Sequence, residues 1–390
     1  MSPDATPDKR LTFQEVMSLI PLPNKAESGN TTKRYMSQRR AWSPEGDIPI
    51  ASGKTSHGQF KPFKRQAAYG GHVYSQAGLA ASITFSQMQA QASSHNNDSQ
   101  RKFGIHTIHG YFSEAGFIDR PFVYSVTTVA PNPGFHNLLV TVRQPLSPST
   151  NKAGDHFPLA DADLPLGPVC FNALVSFRPS VVSQHKAQEL PVQKRFADIL
   201  DSRPSSQWGP APHVDIDGMV EAFPMKNPGT FPVVDMKKVD LAAYNEGKAL
   251  DERRELLLYR PVAPLPENPD AHILTHAYEA DRNGLLAIVH VAVTDFLQMV
   301  GNHVGFGHNF GRAASLSYSF VVHVNPEDAM IAYGEDEWWV QEACFPRVEA
   351  SRGIIMSKIW SPKGVHVATG YQDGIIQRTS NPGEKPDHKL

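Results

Sequence analysis

Apolar residues recur at helical spacing in two long segments. In "YGGHVYSQAGLAASITFSQMQAQ", Val73, Ala77, Ala80, Thr84 and Met88 keep a helical period, with Tyr74, Ala81 and Phe85 beside them. Gly70 and Gly71 mark the start of this helix, and its many small residues would let a sheet approach closely. In "NPDAHILTHAYEADRNGLL", Ile273, Leu274, Ala277 and Tyr278 form one stripe, and the next member of that stripe is Asp281. The second helix carries its own start signal, with Asn268 as N-cap, Pro269 at the first helical position and Asp270 in the first turn. An ionised acid on a buried face is costly unless it has partners or its pKa moves. Asp281 is therefore the position that needs an explanation.

After each helix the period falls to two. "IHTIHGYF", "RPFVYSVTTVA", "HNLLVTVRQ" and "VCFNALVSFRP" follow the first; "ASLSYSFVVHV", "DEWWVQEACFPRVEA", "RGIIMSKIWSP" and "VHVATGYQDGII" follow the second. "HTIHGYF" and "ASLSYSF" stand at corresponding places, so a unit of helix plus antiparallel strands is repeated. The predicted fold is α+β, a double hotdog: two copies of a long helix wrapped by a curved antiparallel sheet, with the sheets joined edge to edge. The predicted division is an N-terminal hotdog at 1–180, a Pro-rich connection at 181–250, a C-terminal hotdog with the active site at 251–378, and a flexible tail at 379–390. Segments 45–67 and 145–168 read as insertions.

Only the second copy carries a set of polar groups on its inward elements. Period two in "AASLSYSFVVH" places Ala313, Ser315, Ser317 and Ser319 on one face, and Ala314, Leu316, Tyr318 and Phe320 on the other. The same count places Gln372 with His366, Ala368 and Gly370. The first helix has no acid from Gly70 to Asn97, and its closing strand has Ser176 and Phe177 near the place of Gln372.

Composition narrows the function classes. In a chain of 390 residues with net charge −2 and no long basic or acidic run, nothing points to nucleic acid or to a membrane surface. No window approaches the length of a membrane span, and the N-terminus lacks the apolar core of a signal peptide. Cys170 and Cys344 are flanked by apolar residues and read as buried, inert thiols in a reducing compartment. His388-Lys389-Leu390 is similar to the S-K-L tripeptide of peroxisomal import, with His where a small residue is usual, so a peroxisomal and a cytoplasmic location both stand.

Other signals point to structure. "GNHVGFGHNFG" lacks the strand-then-helix context of a phosphate cradle, and its His303 and His308 read as solvated loop residues. His106 and His109 are odd-spaced on a strand, which predicts opposite faces and no shared metal. Trp338 and Trp339 read as strand core plus one exposed ring. Arg347, Arg352 and Lys358 are candidate partners for an anionic group.

"YGGHVYSQAGLAA", "HTIHGYFSEAGFIDRPFVYSVTTVAPNPGFHNLLVTVRQ" and the stretch from "AYEADRNGLL" to "VATGYQDGII" resemble, in order and spacing, the acyl-CoA thioesterase II family of double-hotdog enzymes. The resemblance implies hydrolysis of acyl-CoA thioesters in lipid and fatty-acid metabolism, without cofactor or metal. It implies an Asp, a Ser or Thr, and a Gln as catalytic groups, which match Asp281, Ser315 and Gln372. An acyl-CoA is then the substrate, its phosphates met by cations such as the three named above, and a homo-oligomer is compatible with the fold. The insertions depart from the family and bear on the acyl pocket. Two alternatives stay open: a hydrolase of a specialised thioester, such as a polyketide or pathway intermediate, and a non-catalytic acyl-CoA-binding protein.

Overall fold

The computed structural model describes residues 10–27, 30–43, 51–54, 60–62, 67–93, 102–132, 134–152, 154–211, 231–282, 312–334 and 337–377. The Gly-rich stretch with His303 and His308, most of the 45–67 insertion, and His388-Lys389-Leu390 lie outside the described residues.

The strands are β1 (Leu19–Glu27), β2 (Asn30–Ser37), β3 (Ala51–Lys54), β4 (Phe60–Pro62), β5 (Phe103–Phe112), β6 (Val123–Asn132), β7 (Phe135–Pro145) and β8 (Leu166–Pro179). They continue with β9 (Gly209–Pro210), β10 (Val234–Lys238), β11 (Arg254–Pro261), β12 (Arg312–Val322), β13 (Trp339–Glu349), β14 (Arg352–Trp360) and β15 (His366–Gln377). Thirteen of them form one antiparallel sheet in the order β1-β2-β6-β7-β8-β5-β12-β15-β14-β13-β11-β10-β9. Outward from the β5–β12 seam, where Gly110 faces Tyr318, each half presents a closing strand, a hairpin and further strands, two in the first half and three in the second. The sequence repeat is therefore a repeat of topology, and the architecture is a double hotdog. β9 and β10 come from the Pro-rich connection and extend the second edge.

The helices are α1 (Phe13–Val16), α2 (Gly70–Ser93), α3 (Val192–Arg195), α4 (Ala197–Leu200), α5 (Ala242–Asn245) and α6 (Pro269–Ala280). The Asn268 side chain caps α6 by accepting from the Asp270 amide, with Pro269 in the first turn as its sequence indicates. α2 and α6 run antiparallel, side by side. Ser75 Oγ donates to the Leu274 carbonyl at 3.2 Å, and Ser82 Oγ donates to Asp270 Oδ2 at 2.5 Å. A Cβ on Gly78 would stand 2.4 Å from Leu274 Cδ2. The small residues of α2 thus admit the other helix as well as the sheet that the sequence suggested. Together the two helices and the inner face of the sheet enclose one apolar core that runs through both halves.

The outer face is covered in two places. Phe157, Ala162 and Leu166, from the insertion and the strand after it, lie on Leu22, Met36 and Val123. In the second half, Val192 and Phe196 of the connection lie with Trp208 on Leu256, Leu258, Val340 and Trp360. That cover also buries Trp338, whose ring meets the Arg260 guanidinium at 4.6 Å. Both Trp338 and Trp339 are therefore buried, against the expectation of one exposed ring. The connection supplies the shield that strand periodicity alone does not reveal.

Candidate active site

Helix α6 ends on its carboxylate. The predicted stripe Ile273, Leu274, Ala277 and Tyr278 is fully buried, and Asp281, at the C-cap, is only 8% exposed. Two contacts fix this helix end. Gln341 on β13 donates to the Ala280 carbonyl at 3.0 Å while also holding the Ser357 hydroxyl, and Tyr69 Oη donates to the Tyr278 carbonyl at 2.5 Å. Beside them, the Arg282 guanidinium lies over the rings of Trp42 and Phe231, at 4.7 and 4.9 Å.

The Asp281 carboxylate is gripped from both halves of the molecule. Its Oδ2 accepts from the Gly71 backbone amide at 2.6 Å, in the first turn of α2. Its Oδ1 accepts from Gln372 Nε2 at 2.5 Å, and the same amide nitrogen donates to Ser315 Oγ at 2.7 Å. The structure thus brings together all three residues singled out in the second copy. Burial pushes the Asp281 carboxyl up, from 3.8 to about 6, against the opposing pull of the Gly71 amide, the Arg282 charge and the Ser315 hydroxyl. The positive end of the α2 dipole acts in the same direction as those three. The outcome is a carboxylate that is ionised at neutral pH but far more basic than a solvated one.

Ser315 reaches this cluster by a route that simple alternation misses. The β12–β15 register steps from Ser315↔Gly374 to Ser317↔Asp373, so Leu316 is an extra residue in a β-bulge. Below the bulge Ser315 faces inward; above it Tyr318 and Phe320 face inward, and Tyr318 pairs directly with Gln372. Ser315 therefore shares its face with Tyr318 and Phe320. It does not share it with Ser319, which points outward and meets His109 Nδ1 at 3.0 Å. A second register shift, across Val367, turns His366 away from Gln372's face, so that it meets Thr369 Oγ1 at 3.0 Å and stacks on Trp360. A third, at His106, leaves both Ile105 and Ile108 buried and sets His106 against Phe135 on the outer side with His109, not opposite it. Among the described residues no group of His, Cys, Asp or Glu could hold a metal ion.

The two thiols are buried, and burial pushes the Cys170 thiol up to about 12 and raises that of Cys344, which makes both poor nucleophiles. The three cations considered for anionic groups are all engaged by acids: Arg347 with Glu349, Arg352 with Asp373, and Lys358 with Glu189.

Sequence reasoning placed the whole site in the second copy and missed Gly71, Tyr69 and Gln341. The Gly70-Gly71 pair was a visible signal, read only as a helix start. A Cβ on Gly71 would lie 2.7 to 2.8 Å from the Tyr69 ring, which itself holds the Tyr278 carbonyl. Gly71→Ala is therefore expected to cost about 1–3 kcal/mol in stability through overpacking. It should also lower activity, because the Asp281 grip shifts. Denaturant unfolding together with steady-state rates checks this; an unchanged rate would remove the first half from the site.

No family model and no curated protein matches the chain. Solved structures do. An acyl-CoA thioesterase II, TesB2, from Mycobacterium marinum aligns over 95% of this chain and 99% of its own, with 18% identity and a TM-score of 0.54. A tesB protein of Mycobacterium avium subsp. paratuberculosis aligns over 93% and 97%, with 15% identity and a TM-score of 0.48. A hot dog fold protein of unknown function from Alicyclobacillus acidocaldarius aligns over 94% and 97%, with 13% identity and a TM-score of 0.49. Over nearly its whole length, then, this chain shares the fold of the Mycobacterium marinum acyl-CoA thioesterase II.

Proposed function

We propose that the chain hydrolyses acyl-CoA thioesters to a carboxylic acid and CoA, with Asp281 as general base. The observation that carries the reading is one carboxylate, buried and raised to about 6, whose oxygens are fixed by a helix-terminal amide and by a glutamine that also holds a hydroxyl.

A thioester carbonyl is electrophilic enough for water, provided the water loses a proton as it attacks. Asp281 takes that proton while the water oxygen bonds to the carbonyl carbon. The tetrahedral intermediate then collapses, the C–S bond breaks, and the proton returns from Asp281 to the departing thiolate. Both N–H bonds of Gln372 are used, one on Asp281 and one on Ser315. Gln372 accordingly acts as the positioning residue for the pair. Ser315 Oγ accepts from Gln372, and its own proton, which at rest pulls on the Asp281 carboxylate, turns to the attacking water or the developing oxyanion. A positioned base contributes about 10² to 10⁴ in rate, and an oxyanion donor about 10² to 10³. No covalent acyl-enzyme is part of the scheme.

Thiol release across a panel of acyl-CoAs tests the reading. Turnover that falls in Asp281→Asn, Ser315→Ala and Gln372→Ala supports it, and absence of thiol release from every acyl-CoA overturns it. The pH profile adds an independent check. Only the ionised Asp281 accepts a proton, so kcat/KM should rise with pH on a limb whose midpoint lies near 6 and should be lost below it. A flat profile between pH 4.5 and 7.5 would remove Asp281 from the base role.

A further inference from the structure

The thioester site continues into a set of buried polar atoms that the hydrolytic scheme does not use. Glu279, two residues before Asp281, is fully buried, and among the described residues neither of its carboxyl oxygens has a hydrogen-bond partner. Tyr318, the cross-strand partner of Gln372, is 1% exposed, and its hydroxyl is likewise unpartnered. That hydroxyl lies over β15, where a Cβ on Gly370 would stand 2.8 Å from it. Among the described residues, Gln341 and Gln372 each leave Oε1 unused, and Trp339 leaves its indole N–H unused. In the first half, by comparison, Tyr35 meets Thr84, Tyr124 donates to Gln76 and Ser82 donates to Asp270, although the buried His72 ring has no partner among the described residues.

Buried donors and acceptors are normally paired, and a site built around polar groups rejects ligands that leave them unpaired. We propose that, within the thioesterase reading above, the preferred acyl groups carry hydroxyl or keto oxygens close to the thioester, recognised by Glu279 and Tyr318, and are not plain hydrocarbon chains. The position of these two residues sets the place of the oxygens. Tyr318 pairs across the strands with the positioning amide and is near enough to both Asp281 and Glu279 to feel their charge, which places the two residues at the thioester end of the acyl group. Burial raises the Glu279 carboxyl well above its ordinary value, which favours the neutral form, a group that can both donate and accept. Tyr318 is held in its phenol form in the same way, by burial first and by the nearby Tyr74, Asp281 and Glu279 as lesser causes. A keto oxygen suits either donor; a hydroxyl suits the acceptor side of Glu279 as well.

The test compares hexanoyl-CoA with 3-oxohexanoyl-CoA, 3-hydroxyhexanoyl-CoA and 6-hydroxyhexanoyl-CoA. These share chain length and differ in the presence or place of oxygen. The full chain is expected to favour the two 3-oxygenated thioesters over hexanoyl-CoA by about tenfold or more in kcat/KM, the size of one or two net hydrogen bonds. The 6-hydroxy compound should show no such gain. Glu279→Leu should bring the ratio of oxygenated to plain substrate towards one, Tyr318→Phe should lower it in part, and Glu279→Gln should retain part of it. Equal kcat/KM for hexanoyl-CoA and the 3-oxygenated thioesters in the unmodified chain overturns the inference and leaves the hydrolase reading standing. If no thioester is turned over, the hydrolase reading fails separately. Calorimetric Kd values for the same four compounds then decide, with equal Kd again overturning the inference.

Discussion

Asp281→Asn should lower kcat/KM by about 10² to 10⁴, the contribution of a positioned general base, and should do so without unfolding the protein. Asn keeps an acceptor for the Gly71 amide. Its new NH₂ faces Gln372 Nε2, so the Gln372 amide must turn and present Oε1 instead. Ser315 then loses the donor that orients it. The base and the order of its neighbours are lost together. Stability moves the other way. Burial has raised the carboxyl from 3.8 to about 6, so the folded state holds the proton more tightly than the unfolded chain does. The penalty for ionising it is absent below pH about 4, grows through that window and is complete above about 6. Two pKa units correspond to about 3 kcal/mol at most, so Asp281→Asn should be more stable than the parent at pH 8, by on the order of 1–3 kcal/mol, and little different at pH 4. Paired thiol-release assays and denaturant unfolding at both pH values measure this. A variant that retains a third of parent activity, or one that loses stability at pH 8, would contradict the assignment.

Much of the architecture was legible because it is written in periods. Two helical stripes and two runs of alternating residues gave the repeat, and Asn268-Pro269-Asp270 gave a helix start that the structure reproduces. Asp281 was visible for the same reason: an acid on an otherwise apolar stripe is an exception that period alone exposes. What alternation could not show are the places where the strands gain a residue. The bulge at Leu316 moves Tyr318 and Phe320 onto Ser315's face, and the shifts at His106 and Val367 reverse the expected orientation of two histidines. A bulge is set by pairing with a neighbouring strand, which a single sequence does not encode locally. The grip of Gly71 on Asp281 was hidden by distance, since it joins positions 210 residues apart. Trp338 was misread because its cover comes from the connection, a segment with no period to read.

That cover supplies the second large expected effect. Arg195, at the end of α3, places its two terminal nitrogens on the Glu342 carboxylate at 2.7 and 2.5 Å, and Glu342 is almost wholly buried on β13. Trp360 Nε1 donates to the same carboxylate at 3.2 Å, and Arg254 stands 3.8 Å away. Removing one member of a buried pair leaves a desolvated charge. Arg195→Ala should therefore destabilise the protein by about 3 kcal/mol, at the low end of the usual cost because Arg254 and Trp360 remain. Arg195→Met combined with Glu342→Leu should recover part of that loss, since an apolar pair has no charge to desolvate, while Trp360 Nε1 and Arg254 give up their acceptor. The consequence extends to the site. Glu342 and Gln341 are neighbours on β13 with side chains on opposite faces, and Gln341 holds the Ala280 carbonyl that ends the Asp281 helix. A connection that detaches should loosen β13, so Arg195→Ala should lose activity at a lower temperature than the parent, while the double variant regains it. Unfolding curves and activity measured over a temperature series check both. A single variant within 0.5 kcal/mol of the parent would show that apolar contacts alone hold the connection in place.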